Sequence, residues 1–100
     1  MDRYRSKLDG WLKNIFSNVY FQPPSSIQMH YPCAVYEFTS NFIEHADNAP
    51  FFWHKKYQIT VIDRNPDTEL PDLVQMLPYC HLDRTYQAEG LNHYSFTIYI

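Results

Sequence analysis

Apolar positions alternate between two spacings along the chain. Over residues 3–16, Leu8, Trp11, Leu12 and Ile15 recur at i, i+3, i+4, i+7, the interval of one helical face. Arg3, Arg5, Lys7, Asp9 and Lys13 fill the opposite face. Gly10 costs such a helix about 1 kcal/mol relative to Ala, so packing has to hold it. The favoured packing partner is the domain's own sheet; a membrane surface or another chain is the alternative.

Beyond this helix the period shortens to two. Val19–Gln22 suits a short strand, broken by Pro23-Pro24-Ser25-Ser26. Residues 33–39 predict a second strand, with Ala34, Tyr36 and Phe38 on one face and Cys33, Val35 and Glu37 on the other. Residues 40–54 predict a long loop or irregular hairpin connection, because Asn41, Asp47, Asn48 and Pro50 interrupt the pattern. Residues 56–63 form the clearest strand, with Tyr57, Ile59 and Val61 alternating with Gln58 and Thr60.

Asp63-Arg64-Asn65-Pro66-Asp67 predicts a turn. A helix follows over about 69–77, with Leu70, Leu73, Val74 and Leu77 on its apolar face, Thr68 as its N-cap and Pro78 as its stop. Residues 80–86 and 92–100 predict two strands joined through Gln87–Leu91, which contains Gly90. Tyr94, Phe96, Ile98 and Ile100 share a face of the last strand. The order α-β-β-β-α-β-β predicts a single α+β domain over 1–100. It has two layers: a largely antiparallel sheet of about five strands with two helices packed on one face.

Composition narrows the function classes. Nine Tyr, seven Phe and two Trp in 100 residues argue against disorder. Two glycines leave no phosphate-binding loop. A net charge of −3, with no basic run beyond Lys55-Lys56, disfavours a dedicated nucleic-acid binder. No apolar window of about 18 residues predicts a membrane span, and the charged opening residues do not read as a secretory signal. Cys33 and Cys80 read as buried free thiols in a reducing compartment, with one disulfide as the alternative.

Catalytic chemistry finds no constellation. His30, His45, His54, His81 and His93 are scattered. Cys80 and His81 point to opposite faces of a strand, and His45 with Asp47 supplies too few ligands for an ion. No metal, cofactor or catalytic residue is predicted, and the chain does not read as an enzyme. A cysteine hydrolase on Cys33 or Cys80 is the minor alternative.

The row Phe51-Phe52-Trp53 beside Lys55-Lys56 is more informative. On a sheet at least one of three successive aromatics faces outward. Three uses are open: stacking on single-stranded nucleic acid, packing into the core, or a subunit interface, where aromatics are enriched. The surplus of aromatics in an acidic domain without a site favours the interface.

The stretch Tyr31–Phe38 (YPCAVYEF), then His45–Asp72 (HADNAPFFWHKKYQITVIDRNPDTELPD) and Leu77–Ile100, resembles small tailed-bacteriophage proteins of the tail terminator, tail completion or neck family. About four fifths of the chain carries the likeness. What it implies is a virion structural protein, made in the bacterial host cytoplasm and ending in the tail or neck. Copies would form a hexameric ring that caps the tail tube and joins it to the head connector. A head-completion or stopper subunit one ring nearer the capsid is the alternative in the same class; a single-stranded nucleic-acid-binding module is the alternative in another.

A closed ring needs two complementary patches per subunit. The first helix with Trp11 and the 40–56 region with His45, Asp47, Asn48, Phe51, Phe52 and Trp53 are the candidates. Six copies would carry a charge of −18, and acidic groups on the lumen would let genomic DNA pass without specific binding. Asp63, Asn65, Pro66 and Asp67 would fix a loop or line a ring contact.

Overall fold

The computed structural model describes the backbone of residues 3–46 and 49–100, and the side chains of 3–40 and 55–100. The elements are α1 (Arg3–Ile15), β1 (Val19–Phe21), β2 (Cys33–Ala46), β3 (Ala49–Asp63), α2 (Leu70–Gln75), β4 (Cys80–Ala88) and β5 (Leu91–Tyr99). They build one five-stranded sheet in the order β1-β2-β3-β5-β4. All its neighbours run antiparallel except β1 and β2, which are parallel. Both helices lie on one face, so the α+β class and two-layer arrangement match the sequence pattern.

The core forms where the helical and strand periods meet. Leu8, Leu12 and Phe16 of the first helix and Val74 of the second close over Ala34, Tyr36, Tyr57, Ile59, Val61, Phe96 and Ile98. Leu8 and Leu12 are fully buried. Each contributes about 2 kcal/mol by leaving water, which outweighs the cost of about 1 kcal/mol for Gly10 in the helix interior. Rings line the same face in sequence: Phe21–Tyr36 at 4.9 Å between centroids, Tyr36–Tyr57 at 6.2 Å and Tyr57–Phe38 at 5.6 Å.

The polar face of β5 is satisfied rather than exposed. Gln58 Nε2 donates to Ser95 Oγ at 2.8 Å, and Thr97 Oγ1 donates to Asp83 Oδ2 at 2.5 Å. Asp83 is the extra residue of a β-bulge between Leu82 and Arg84, which turns its carboxylate back over the sheet. The same carboxylate lies 3.2 Å from His81 Nε2.

The turn after β3 closes through side chains, as the loop-fixing reading of Asp63 and Asn65 expects. Asn65 N donates to Asp63 Oδ1 at 3.1 Å, and Asp67 N donates to Asn65 Oδ1 at 3.0 Å. These are two successive Asx turns.

The largest correction concerns residues 40–54. Among the described residues they are not a loop but follow the hairpin alternative: β2 continues to Ala46 and β3 begins at Ala49, paired antiparallel with two register shifts. The turn-forming residues misled the pattern because a two-stranded ribbon has no inner strand. Pro50, which has no N–H to donate, is paired with His45 beside a register shift and costs little where no third strand lies alongside among the described residues.

Smaller corrections follow from local geometry. The second helix is six residues long, Leu70–Gln75, and its N-cap is Glu69 with no side-chain cap; Thr68 Oγ1 instead accepts from Leu70 N at 3.3 Å. The last hairpin turns on Glu89-Gly90 alone, since Ala88 pairs with Leu91. Positive φ at both, 55° and 74°, is the type I′ geometry that matches strand twist.

Candidate assembly surface

Two features of the backbone leave strand edges open. The first is the far half of the β2–β3 hairpin. β5 accompanies β3 only as far as the Lys56–Tyr99 pair, extended by two backbone bonds between Lys55 and Ile100. Beyond that point β2 and β3 pair only with each other among the described residues, through Phe42–His54, Ile43–Trp53 and Glu44–Phe52 to Ala46–Ala49. The result is a two-stranded arm, and the domain measures 50 × 25 × 23 Å.

The arm is rooted in cation–ring contacts. Lys55 Nζ lies 5.2 Å from the Tyr4 ring centroid and 5.8 Å from that of Phe38. On the outer edge of β2, Gln22 extends the work of the three-residue β1. Its N–H donates to Tyr36 O at 3.0 Å, and its Oε1 accepts from Phe38 N at 3.1 Å. Past Phe38 that edge is open among the described residues.

The second feature is β4, the opposite margin of the sheet. Of its nine residues only Cys80 is buried; the other eight are exposed on both faces. Its ladder with β5 is its only strand pairing among the described residues. At the near end Gln75 stands in for a missing neighbour: its Nε2 donates to Cys80 O at 3.1 Å and its Oε1 accepts from Leu82 N at 3.2 Å. From the bulge to the turn no such cap is present among the described residues. The narrow pair Ala88–Leu91 fixes the alternation, so Thr85 and Gln87 point their backbone groups away from β5.

Exposed apolar side chains gather at this margin. Leu73 and Met76 at α2, Tyr79 in the connection, and Leu82 and Tyr86 on β4 account for most of the exposed large hydrophobics among the described residues. Met76 and Tyr79 are 80% and 76% exposed. Sequence reasoning assigned Leu73 to a core stripe, but a six-residue helix presents one turn to the core, and only Pro71 and Val74 are buried. The apolar run Met76-Leu77-Pro78-Tyr79, next to a helix stop, was the available signal.

The interface residues suggested by sequence divide. His45, Phe51, Phe52 and Trp53 all fall on the arm. Asp47 and Asn48 lie outside the described residues. Trp11 stands apart: it is half-buried against the core, with Lys7 Nζ 5.0 Å from its ring.

Neither cysteine is available at the surface. Both cysteines are free and buried. Burial, with the Asp63 carboxylate adding to it, pushes the Cys33 thiol up to about 11; burial and Asp83 push Cys80 up to about 12. Thiols held so high are poor nucleophiles at neutral pH. No group of three or more His, Cys, Asp or Glu is placed to hold a metal ion among the described residues. No helix among them is long and apolar enough to cross a membrane. No protein-family model, curated protein or solved structure matches this chain.

Proposed function

We propose that this protein is a structural subunit that assembles with copies of itself, and that its ring is the tail terminator of a tailed phage, capping the tail tube and meeting the head connector. The observation that carries the assembly is the margin formed by α2 and β4. An edge strand with eight consecutive exposed residues and an apolar shoulder is a template for pairing that natural proteins cover or blunt. The arm supports the same reading, since an isolated two-stranded hairpin is marginal in water and gains stability from a partner. The tail-terminator role rests on the sequence resemblance.

The nucleic-acid reading draws less support. Of the two lysines it relies on, Lys55 is already placed over the rings of Tyr4 and Phe38. The stopper reading differs only in position along the neck.

The test is sedimentation and electron microscopy of the purified protein, alone and mixed with purified tail tubes. Six-fold rings on tube ends are expected. A protein that remains monomeric and ignores tube ends would overturn the proposal; rings found only on the head side of a neck would move it to the stopper.

A further inference from the structure

We infer that Gln22 and Gln75 are edge blocks of the sheet: each fills a rung where a further parallel strand would seat, and so keeps other chains from pairing there. Each glutamine bridges a carbonyl and an amide two residues apart. Gln75 Nε2 donates to Cys80 O at 3.1 Å, and its Oε1 accepts from Leu82 N at 3.2 Å. Gln22 N donates to Tyr36 O at 3.0 Å, and its Oε1 accepts from Phe38 N at 3.1 Å. One partner holding the carbonyl before a residue and the amide after it is the bonding of a parallel strand. Gln22 thereby continues the parallel register in which Phe21 faces Tyr36. Its φ of 43° carries the main chain away at this point, and the side-chain oxygen takes the place of its own carbonyl.

A carboxamide suits the task because it has the donor and the acceptor of a peptide unit. It differs in having no chain beyond it. A strand seated on the edge would present a second row of backbone groups to the next strand; a glutamine side chain does not, and addition stops. A second barrier follows each cap. The bulge at Asp83 comes directly after Leu82, and bulges end pairing. Pro23-Pro24 comes directly after Gln22, and neither residue has an N–H to donate. The sheet order puts these two arrangements at opposite margins. The inference concerns the filled rungs alone and holds with or without the assembly proposed above.

The test removes one cap. Gln75 is exposed, so Gln75→Ala leaves the core intact; Gln75→Met deletes the amide but keeps the stem and serves if the alanine variant fails to fold. Gly90→Ala is the control, since it strains the hairpin turn at φ 74° and leaves both caps in place. Circular dichroism verifies folding. Sedimentation velocity and hydrogen exchange at the Leu82 amide are then followed as protein concentration rises.

In dilute solution the capless variants should exchange Leu82 about tenfold faster than wild type. At high concentration they should form species larger than wild type does, and Leu82 should slow again as a strand of another copy takes the vacated rung. The control should sediment as wild type throughout. Capless variants that sediment like wild type and exchange rapidly at every concentration would overturn the inference. So would a control that grows the same larger species, because lost stability rather than an opened edge would then drive them.

Discussion

The Tyr36 hydroxyl donates a 2.7 Å hydrogen bond to Asp9 Oδ1, joining the first part of β2 to the underside of α1. Lys13 Nζ lies 2.7 Å from the other carboxylate oxygen, one helical turn on. Tyr36 is fully buried, so its hydroxyl has no water to fall back on. Tyr36→Phe removes the bond but leaves Asp9 its lysine, and should cost about 1 kcal/mol. Asp9→Ala strands a buried donor and should cost about 1–3 kcal/mol. Urea unfolding of both variants tests the ordering; equal losses would show that the hydroxyl finds another acceptor.

The same carboxylate makes stability depend on acid. Burial pushes the Asp9 pKa up, but the hydrogen bonds from Lys13 and Tyr36 and the charges of Lys13 and Arg5 outweigh it, so the net value lies below 3.8. A folded pKa below the unfolded one means the ionised group stabilises the fold fully above the unfolded value and ceases to as pH falls through the folded one. The stability gap between wild type and Asp9→Asn should therefore be widest near neutrality and narrow below about pH 4. Thermal melts across that range check it, and a constant gap would contradict it.

The two glycines should respond to alanine with opposite signs. A Cβ at Gly10 meets nothing within 4 Å, and the residue sits inside α1, so Gly10→Ala should stabilise by about 0.5–1 kcal/mol. A Cβ at Gly90 also meets nothing within 4 Å, but φ is +74° there, and Gly90→Ala should destabilise by about 1 kcal/mol. Space is equal at both sites, so melting temperatures isolate the backbone contribution.

Both thiols should resist modification in the folded protein. With Cys33 and Cys80 held near 11 and 12, a thiol-specific reagent at about pH 8 should label neither until denaturant is added, and then both. Rapid labelling of one native cysteine would revive the hydrolase alternative.

Gln75 can be tested at a single amide. Its carboxamide accepts from Leu82 N on the side of β4 where β5 is absent. Gln75→Ala should release that amide to solvent and speed its hydrogen exchange by about tenfold, the equivalent of a hydrogen bond of about 1.4 kcal/mol. His81 lies next along the same strand, paired with Thr97, and its exchange should hardly change.

Much of the fold was legible because periodicity reports which face meets the core. Leu8 and Leu12 in the first helix, and Ile59, Val61, Phe96 and Ile98 in the strands, occupy the interior that their spacing indicates. The arm was illegible for a physical reason: its residues answer to no core, so neither spacing is enforced, and Asp47, Asn48 and Pro50 look like loop. The margin was hidden differently. Leu73 has helical spacing, yet whether its face is covered depends on the length of α2, and boundaries are the least certain part of a pattern. The glutamine caps at Gln22 and Gln75 have no sequence signature, because a carboxamide that replaces a strand differs from a solvated one only through its surroundings.

The cap at Gln75 also limits how much of the outer edge of β4 is open among the described residues. With the rungs at Cys80 and Leu82 taken and the bulge at Asp83 beyond them, the free track runs from Thr85 to Ala88. Four residues span only about 14 Å. In a ring of the proposed kind so short an edge would be readily released, which would let misplaced neighbours detach, and durability would come from closing the circle rather than from any one pair.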